Sequence, residues 1–154
     1  MGKWYTGTFA LCSSEFDSRR VQMDKKRVGN LGERIAVSYL IKKGYKILDK
    51  NYSPNFISGP QRGEIDIVAK KGDIISFVEV KALTKADRGR ASVIAPEDKV
   101  DFSKQRKIIK TAESWLMEKK IPFDSKWQVD VLSIKINLAA KRAKINYFFN
   151  VSSA

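Results

Sequence analysis

The chain has 154 residues, and its 30 Lys and Arg against 17 Asp and Glu give a net charge of +13. This length suits one domain with a buried core, and so large an excess of positive charge predicts a polyanionic partner rather than a membrane. The absence of histidine excludes Ser-His-Asp and Cys-His catalysis and every histidine-ligated metal site.

The first 24 residues show no sustained hydrophobic period. We therefore treat residues 1–24 as an N-terminal extension of unknown role, which could add a short element or pack loosely, and residues 25–154 as the folded domain. The lone Cys12 cannot form a disulfide within the chain, and no apolar run approaches the length of a membrane span. These features predict a cytoplasmic protein in a reducing compartment.

The first predicted helix covers about residues 31–43, where apolar side chains recur at helical spacing and Gly44 supplies the stop. Asn30 is the predicted N-cap, and Glu33, three residues later, has the spacing of a capping box. The functional alternative for Glu33 is a carboxylate that reaches from the helix to a metal site on the neighbouring hairpin.

A short strand is predicted over residues 45–51, and a loop connects it to a hairpin of two further strands. On the first hairpin strand Glu64 and Asp66 alternate with isoleucines, and on the second Glu79 and Lys81 alternate with valines. Because the side chains of a strand alternate between its two faces, the polar residues of each strand share one face, and an even-numbered turn puts all four on the same face of the hairpin.

The turn of the hairpin sets the distance between the acids. A two-residue loop at 71–72, or a four-residue loop over 70–73, places Asp66 opposite Phe77 and diagonal to Glu79, with β-carbons about 7 Å apart. A divalent cation can bridge two carboxylates at that distance, and such hard oxygen ligands suit Mg²⁺ or Mn²⁺. The alternative is a solvated hairpin face, but the apolar Phe77 shares the face of Glu79 and favours a site for chemistry.

After the hairpin comes a polar, basic stretch over residues 82–95, which either holds a phosphodiester backbone or is a solvated connector. Pro96 then opens a second helix that runs to about Lys120, with Lys104 and Gln105 directed at the hairpin or a phosphate. The alternative for Lys104 is a stem packed along the surface with its ammonium group in water. The candidates for nucleic-acid contacts are Arg62, Lys85, Arg88, Arg90, Lys104 and Gln105.

Two final strands are predicted over residues 127–136 and 144–151. The aromatic run at 147–149 favours core packing over base stacking. The resulting order is helix, three strands, helix, two strands, which predicts an α/β sandwich around a mixed sheet.

Four sets of residues follow one another along the chain. They are Gly29-Asn30-x-Gly32-Glu33, Gly63-Glu64-Ile65-Asp66, Phe77-Val78-Glu79-Val80-Lys81, and Lys104 with Ala112 and Asp130. Over about residues 28–150, this pattern resembles the YraN-like uncharacterised family, which has a restriction-endonuclease-like core similar to archaeal Holliday-junction resolvases. The resemblance implies a mixed β-sheet flanked by helices.

The resemblance also implies roles for individual residues. Asp66 and Glu79 would hold Mg²⁺ or Mn²⁺ together with the Val80 carbonyl. Lys81 would position or activate the attacking water, and Glu33 would add a helix carboxylate to the catalytic and metal-binding set.

Glu64 and Asp130 are expected to support these residues from nearby positions. The chain departs from the family pattern at Ser53, where an arginine is usual, and at Leu83, near which an arginine often follows the strand. These departures concern the grip on phosphate, and the central acids are intact.

We therefore expect a metal-dependent endonuclease that hydrolyses phosphodiester bonds in DNA, with branched or otherwise structured DNA as a candidate substrate. The sequence does not separate DNA from RNA, and a homodimer would fit a relative of junction-resolving enzymes. The alternatives are a non-catalytic nucleic-acid-binding module that keeps the nuclease core, and a structural or protein-interaction domain. The enzyme needs Asp66, Glu79 and Lys81, whereas a binder should keep or gain affinity when Asp66 loses its charge.

Overall fold

A computed structural model describes residues 4–11, 24–84 and 102–151. In these ranges the chain forms six strands and two α-helices, with a short 3₁₀ turn before the third strand. The elements are β1 (Trp4–Ala10), α1 (Lys25–Lys42), β2 (Lys46–Tyr52), β3 (Ile65–Lys71), β4 (Ile74–Thr84), α2 (Phe102–Glu118), β5 (Trp127–Asn137) and β6 (Arg142–Phe148).

The six strands form one mixed sheet in the order β1-β6-β5-β4-β3-β2. Neighbouring strands are antiparallel except β4 and β5, which are parallel and whose connection includes α2. A parallel pair needs such a crossover, because a short turn cannot return the chain to the same end of the sheet. The predicted α/β class with a restriction-endonuclease-like core is confirmed.

Two hydrophobic clusters cover the two faces of the sheet. On β4, for example, alternation sends Val78 toward α1 and its neighbour Phe77 toward α2. Trp115 of α2 meets Phe77 edge to face, with ring centroids 5.6 Å apart. The sheet is therefore buried on both sides, and both helices are held against the hairpin that carries the acids.

The N-terminal segment contributes to this sheet. Trp4–Ala10 forms β1, which pairs antiparallel with β6 at the edge of the sheet. The N-terminal segment therefore adds a short element to the fold, which is one of the two arrangements that the sequence left open. Residues 12–23 lie outside the described part of the chain.

The first helix begins six residues earlier than its apolar pattern predicts. Asp24 is the N-cap, and its carboxylate accepts a hydrogen bond from the backbone N–H of Arg27 at 2.8 Å. The predicted cap at Asn30 is wrong, and with it the capping-box role of Glu33, because both residues lie inside α1. The predicted stop is confirmed, since Gly44 follows the helix with a φ of +86°.

Asp24→Ala is expected to lower the free energy of unfolding by about 1 kcal/mol, because an N–H of the first turn loses its side-chain acceptor. Urea denaturation monitored by circular dichroism measures this loss. Asn30→Ala is the matched control, since Asn30 is exposed within the helix, where alanine is the better helix former. An equal loss in both variants would contradict the assignment of the cap.

The hairpin turn also differs from its prediction. The loop residues are Gly72 and Asp73, and the paired residues run from Lys71 and Ile74 to Ile67 and Val78. Gly72 adopts a φ of +60°, which glycine tolerates at the first loop position. The predicted pairing of Asp66 with Phe77 is therefore wrong by two residues, and Asp66 and Glu79 each lie one residue beyond the last pair of the ladder.

The remaining boundaries of β2, β5 and the end of α2 agree with prediction to within two residues, whereas β6 ends three residues early. The hairpin strand β4 continues to Thr84, into the stretch expected to be a loop. The predicted helix start at Pro96 lies outside the described residues. Neither described helix has the length and apolar character needed to cross a membrane.

Candidate active site

Asp66 lies near the start of β3, where the chain enters the sheet. Its Oδ2 atom accepts a hydrogen bond of 2.7 Å from the backbone N–H of Val80 on β4. Val80 directly follows Glu79, so this bond fixes the Asp66 carboxylate across the hairpin beside Glu79. Asp66 and Glu79 line the same cavity, and they lie opposite each other just beyond the Ile67–Val78 pair rather than diagonally as predicted.

Glu79 points to the α2 side of the sheet and is mostly buried. Its Oε1 atom forms an ion pair of 2.7 Å with the Nζ atom of Lys104 on α2, and the exposed fractions of the two side chains are 13% and 50%. Of the two contacts predicted for Lys104, the one with the hairpin is confirmed.

A cavity of about 440 Å³ opens between the hairpin and α2 around this ion pair. Its lining combines three acids with three bases, so that carboxylates and cations face the same space. The lining residues are Arg62, Gly63, Glu64, Asp66, Glu79, Ser103, Lys104, Lys107 and Ile108.

The loop that enters β3 is held tightly against α2 at Gly63. A β-carbon at Gly63 would overlap the hydroxyl of Thr111 and lie 3.2 Å from the Lys107 carbonyl oxygen. Ser53 ties the same loop, because its hydroxyl donates to the Gly63 carbonyl at 2.9 Å and accepts from Arg62 Nε at 2.7 Å. These contacts hold Arg62 and Glu64 at the rim of the α2-side cavity.

A second cavity of about 390 Å³ lies on the α1 side and shares Asp66 with the first. Here Glu33 of α1 accepts a hydrogen bond of 3.0 Å from the side-chain amide of Asn51. The β2–β3 pairing on either side of Asn51 leaves it across from Asp66, and its φ of +51° is a left-handed conformation that asparagine tolerates. Glu33 and Glu79 therefore approach Asp66 from opposite faces of the sheet.

Burial raises the pKa of Asp66 from its ordinary value of 3.8 to about 7. The hydrogen bond from Val80 lowers this pKa, but the charges of Glu79, Glu33 and Glu64 raise it further. Partly buried carboxylates with a perturbed pKa, next to a cavity, are typical of functional sites.

The oxygen atoms of this site suit a hard divalent cation. Within the described part of the chain, no three acidic or thiol side chains converge into a complete metal-binding cluster. Mg²⁺ does not require one, since proteins commonly hold it through one or two carboxylates while waters and substrate phosphates supply the other ligands. Asp66 and Glu79 provide two such carboxylates. Burial is the main cause of the raised pKa of Asp66 and the neighbouring acids add to it, so a bound cation would stabilise the ionised carboxylate.

Several predicted residues lie away from the two cavity linings. Lys81 is half-buried, two residues beyond Glu79 on the same face of β4 and beside Ser133 of β5. Gln105 is half-buried on α2 and lines neither cavity. The predicted basic loop residues Lys85, Arg88 and Arg90 lie outside the described residues.

Asp130 is fully buried on β5 and lines neither cavity. It accepts hydrogen bonds from the Tyr147 hydroxyl at 2.7 Å, the Gln128 side chain at 2.9 Å and the Asn150 backbone at 2.8 Å. Burial and the charge of Asp130 raise the pKa of Tyr147, which keeps the phenol protonated as a donor. The contacts of Asp130 hold the end of β6 to β5.

Lys107 and Asn51 are site residues that the sequence reasoning missed. Lys107 follows Lys104 by three residues, which places both on one side of a helix, and this spacing was a usable signal. Asn51 carried no such signal, because its contact with Glu33 depends on a left-handed backbone conformation within a strand.

The fold and this site define a class of protein: an α/β protein with a restriction-endonuclease-like core, whose acidic hairpin faces lysines and an arginine from neighbouring elements. The model of the uncharacterised protein family UPF0102 matches residues 32–134. The chain belongs to this family, which confirms the YraN-like resemblance.

Three relatives illustrate the match. A UPF0102 protein of Clostridium tetani is 46% identical over 96 residues, which is 62% of this chain and 70% of the relative. A UPF0102 protein of Dictyoglomus thermophilum is 36% identical over 128 residues, or 83% of this chain and 98% of the relative. One of Alkaliphilus oremlandii is 37% identical over 125 residues, or 81% and 97% of the two chains.

Proposed function

We propose that this protein is a divalent-metal-dependent endonuclease that hydrolyses phosphodiester bonds in DNA. One observation carries the proposal: Asp66 and Glu79 line the same cavity as Arg62, Lys104 and Lys107. Phosphodiester hydrolysis needs both kinds of group, since carboxylates hold a metal ion and cations bind the phosphate and offset its developing charge.

Asp66, Glu79 and the carbonyl oxygen of Val80 would hold Mg²⁺ or Mn²⁺. When bound, such an ion supplies Lewis-acid stabilisation of the phosphoryl oxygens and lowers the pKa of a bound water. The Val80 N–H holds the Asp66 carboxylate in place for this role. By the family resemblance, Lys81, two residues beyond Glu79 on the same strand face, would position the attacking water. Glu33, oriented by Asn51, would add a carboxylate from the α1 side.

The net charge of +13 supports a nucleic-acid substrate. Arg62, Lys104 and Lys107 are the described residues best placed to contact a phosphate beside the acids. Branched or otherwise structured DNA is the substrate class we favour, on the resemblance to junction-resolving enzymes.

The second candidate is a non-catalytic nucleic-acid-binding module. The ion pair between Lys104 and Glu79 favours this alternative, because it neutralises one acid without a metal ion. The two functions share the charged surface and differ in whether the acids and Lys81 are needed for chemistry.

The test is cleavage of linear, single-stranded, flap and four-way-junction DNAs with Mg²⁺, with Mn²⁺ and with a chelator. Lys81→Ala, purified in the same way, excludes a contaminating nuclease, and Lys126→Ala is a matched control because Lys126 pairs with Asp73 on the exposed hairpin turn. We expect metal-dependent cleavage by the wild type and by Lys126→Ala, and loss of at least about 100-fold in Lys81→Ala. Salt-sensitive binding without cleavage of any of these DNAs would instead favour the binding module.

A further inference from the structure

We propose that Lys104 exchanges one anion for another during binding, pairing with Glu79 in the free protein and with a phosphate oxygen of the nucleic acid once a divalent cation occupies the acids. This inference rests on the proposed function, because it names how the same site prepares for metal and substrate. It makes Lys104 a positioning residue with two alternative partners.

The free protein needs a cation at this position. Glu79 is only 13% exposed, and Asp66 lies next to it with its carboxylate fixed by Val80. Two neighbouring carboxylates that are partly removed from water repel each other. In the described structure the ammonium group of Lys104 lies 2.7 Å from Glu79 Oε1, where it supplies the compensating charge.

A divalent cation on the Glu79 carboxylate competes with Lys104 for the same negative charge. Two cations on one carboxylate repel each other in a partly buried site, and the metal brings the larger charge. Lys104 is the partner able to leave, because its side chain is half-exposed and its stem is long and flexible, whereas Glu79 is confined to an inner strand. Binding of metal therefore weakens the ion pair and favours the release of Lys104 from Glu79.

The released ammonium group has a second partner close by. Lys104 lines the α2-side cavity together with Arg62 and Lys107. Once a divalent cation neutralises Asp66 and Glu79, only Glu64 of the lining acids offsets these three cations, and an added anion between them becomes favourable. A phosphate group fits this requirement, and the close contact of Gly63 with Thr111 and Lys107 keeps Arg62 next to α2. The exchange thus couples metal binding to phosphate binding.

The first test measures Mn²⁺ binding by isothermal titration calorimetry, without DNA. Lys104→Met removes the competing cation, so it should bind Mn²⁺ about fivefold more tightly than the wild type. Lys104→Arg keeps the ion pair and should restore the wild-type affinity. Lys107→Met, on the same helix and the same cavity, should change Mn²⁺ affinity much less. Equal or weaker Mn²⁺ binding by Lys104→Met would overturn the exchange, as would no binding by any variant.

The second test measures duplex DNA affinity over a salt series, with and without Mn²⁺, with every protein carrying Lys81→Ala to suppress cleavage and a denaturing gel to check that the DNA stays intact. Each phosphate contact contributes about 0.9 to the slope of log affinity against log salt concentration. Lys104→Met should lower the slope by about this amount only when Mn²⁺ is present, whereas Lys107→Met should lower it in both conditions. If Lys104→Met lowers the slope by the same amount with and without Mn²⁺, the exchange is ruled out.

These outcomes separate the exchange from the proposed hydrolysis. A protein that shows the tighter Mn²⁺ binding and the metal-dependent slope but cleaves no DNA keeps the exchange and loses the endonuclease proposal. A protein that cleaves DNA but shows neither effect in Lys104→Met keeps the endonuclease proposal and loses the exchange.

Discussion

Asp66→Asn is expected to lose DNA cleavage by at least about a thousandfold and, at pH 8, to be more stable than the wild type. Both effects have the same cause, the negative charge of one partly buried carboxylate. Asparagine keeps the shape of the side chain, and its carbonyl oxygen can still accept the hydrogen bond from Val80. Only the charge is removed, and with it one of the two side-chain ligands proposed for the metal.

The direction of the stability effect follows from the pKa of Asp66, which is raised from 3.8 to about 7 in the folded protein. The folded state therefore binds this proton more tightly than the unfolded chain does. Well below pH 3.8 the carboxyl is protonated in both states and carries no penalty. As the pH rises from about 4 to 7, the wild type progressively loses stability relative to Asp66→Asn, and the difference levels off at about 4 kcal/mol.

Urea denaturation of both proteins at pH 4 and pH 8 measures this difference. Asp73→Asn is the matched control on the same hairpin, because pairing with Lys126 lowers the pKa of Asp73 and the substitution gives no gain at pH 8. Added Mg²⁺ should stabilise the wild type at pH 8 and leave Asp66→Asn unchanged. A loss of stability in Asp66→Asn at pH 8 would show that its carboxylate serves the fold rather than the site.

The sequence predicts that Asp66 and Glu79 lie on the same face of the hairpin, and an error of two residues in the register of the two strands does not change this prediction. The observed pairing differs from the predicted one by two residues, and a shift of two returns every side chain to the same face. Asp66, Glu79 and Lys81 thus share a face in both registers. What the alternation could not decide was which residues begin the turn, since that depends on the positive φ of Gly72.

The start of α1 was hidden by its composition. Gly29 and Gly32 lower the helix propensity, and the residues before Val28 are basic rather than apolar. The apolar periodicity of the helix therefore becomes visible only at Leu31. Tertiary packing supplies what propensity lacks, because Val28 is buried against the sheet and Asp24 caps the helix. As a result Glu33 lies in the middle of the helix, where its carboxylate can face Asn51.

The contacts that complete the site depend on distant parts of the chain. The ion pair between Lys104 and Glu79 requires α2 to pack on the face of β4 that carries the acids. The apolar spacing along α2 predicts which face of the helix is buried, but it does not predict that this face packs on β4. The pairing of β1 with β6 is of the same kind, since the two strands lie at opposite ends of the sequence.

Gly32→Ala is expected to lower the free energy of unfolding by about 2 kcal/mol. Gly32 lies on α1 where the helix crosses β4, and a β-carbon there would overlap the Ala82 side chain. Both residues belong to inner, well-packed surfaces, so α1 has to move away from the sheet. Glu33 is the next residue of the helix, and its distance from Asp66 would increase with that movement. Denaturation and Mn²⁺ titration measure the two consequences.

Gly29→Ala distinguishes this packing effect from helix propensity. Gly29 is on the same helix, but a β-carbon added there would meet no atom within 4 Å, so alanine should stabilise the protein by about 0.5–1 kcal/mol. Ala82→Gly in the Gly32→Ala protein removes the overlapping side chain, and the two changes should couple by at least about 1 kcal/mol. Additive changes in the double variant would place the strain elsewhere. Rescue of both stability and Mn²⁺ binding would show that the close approach of α1 to β4 holds Glu33 at the site.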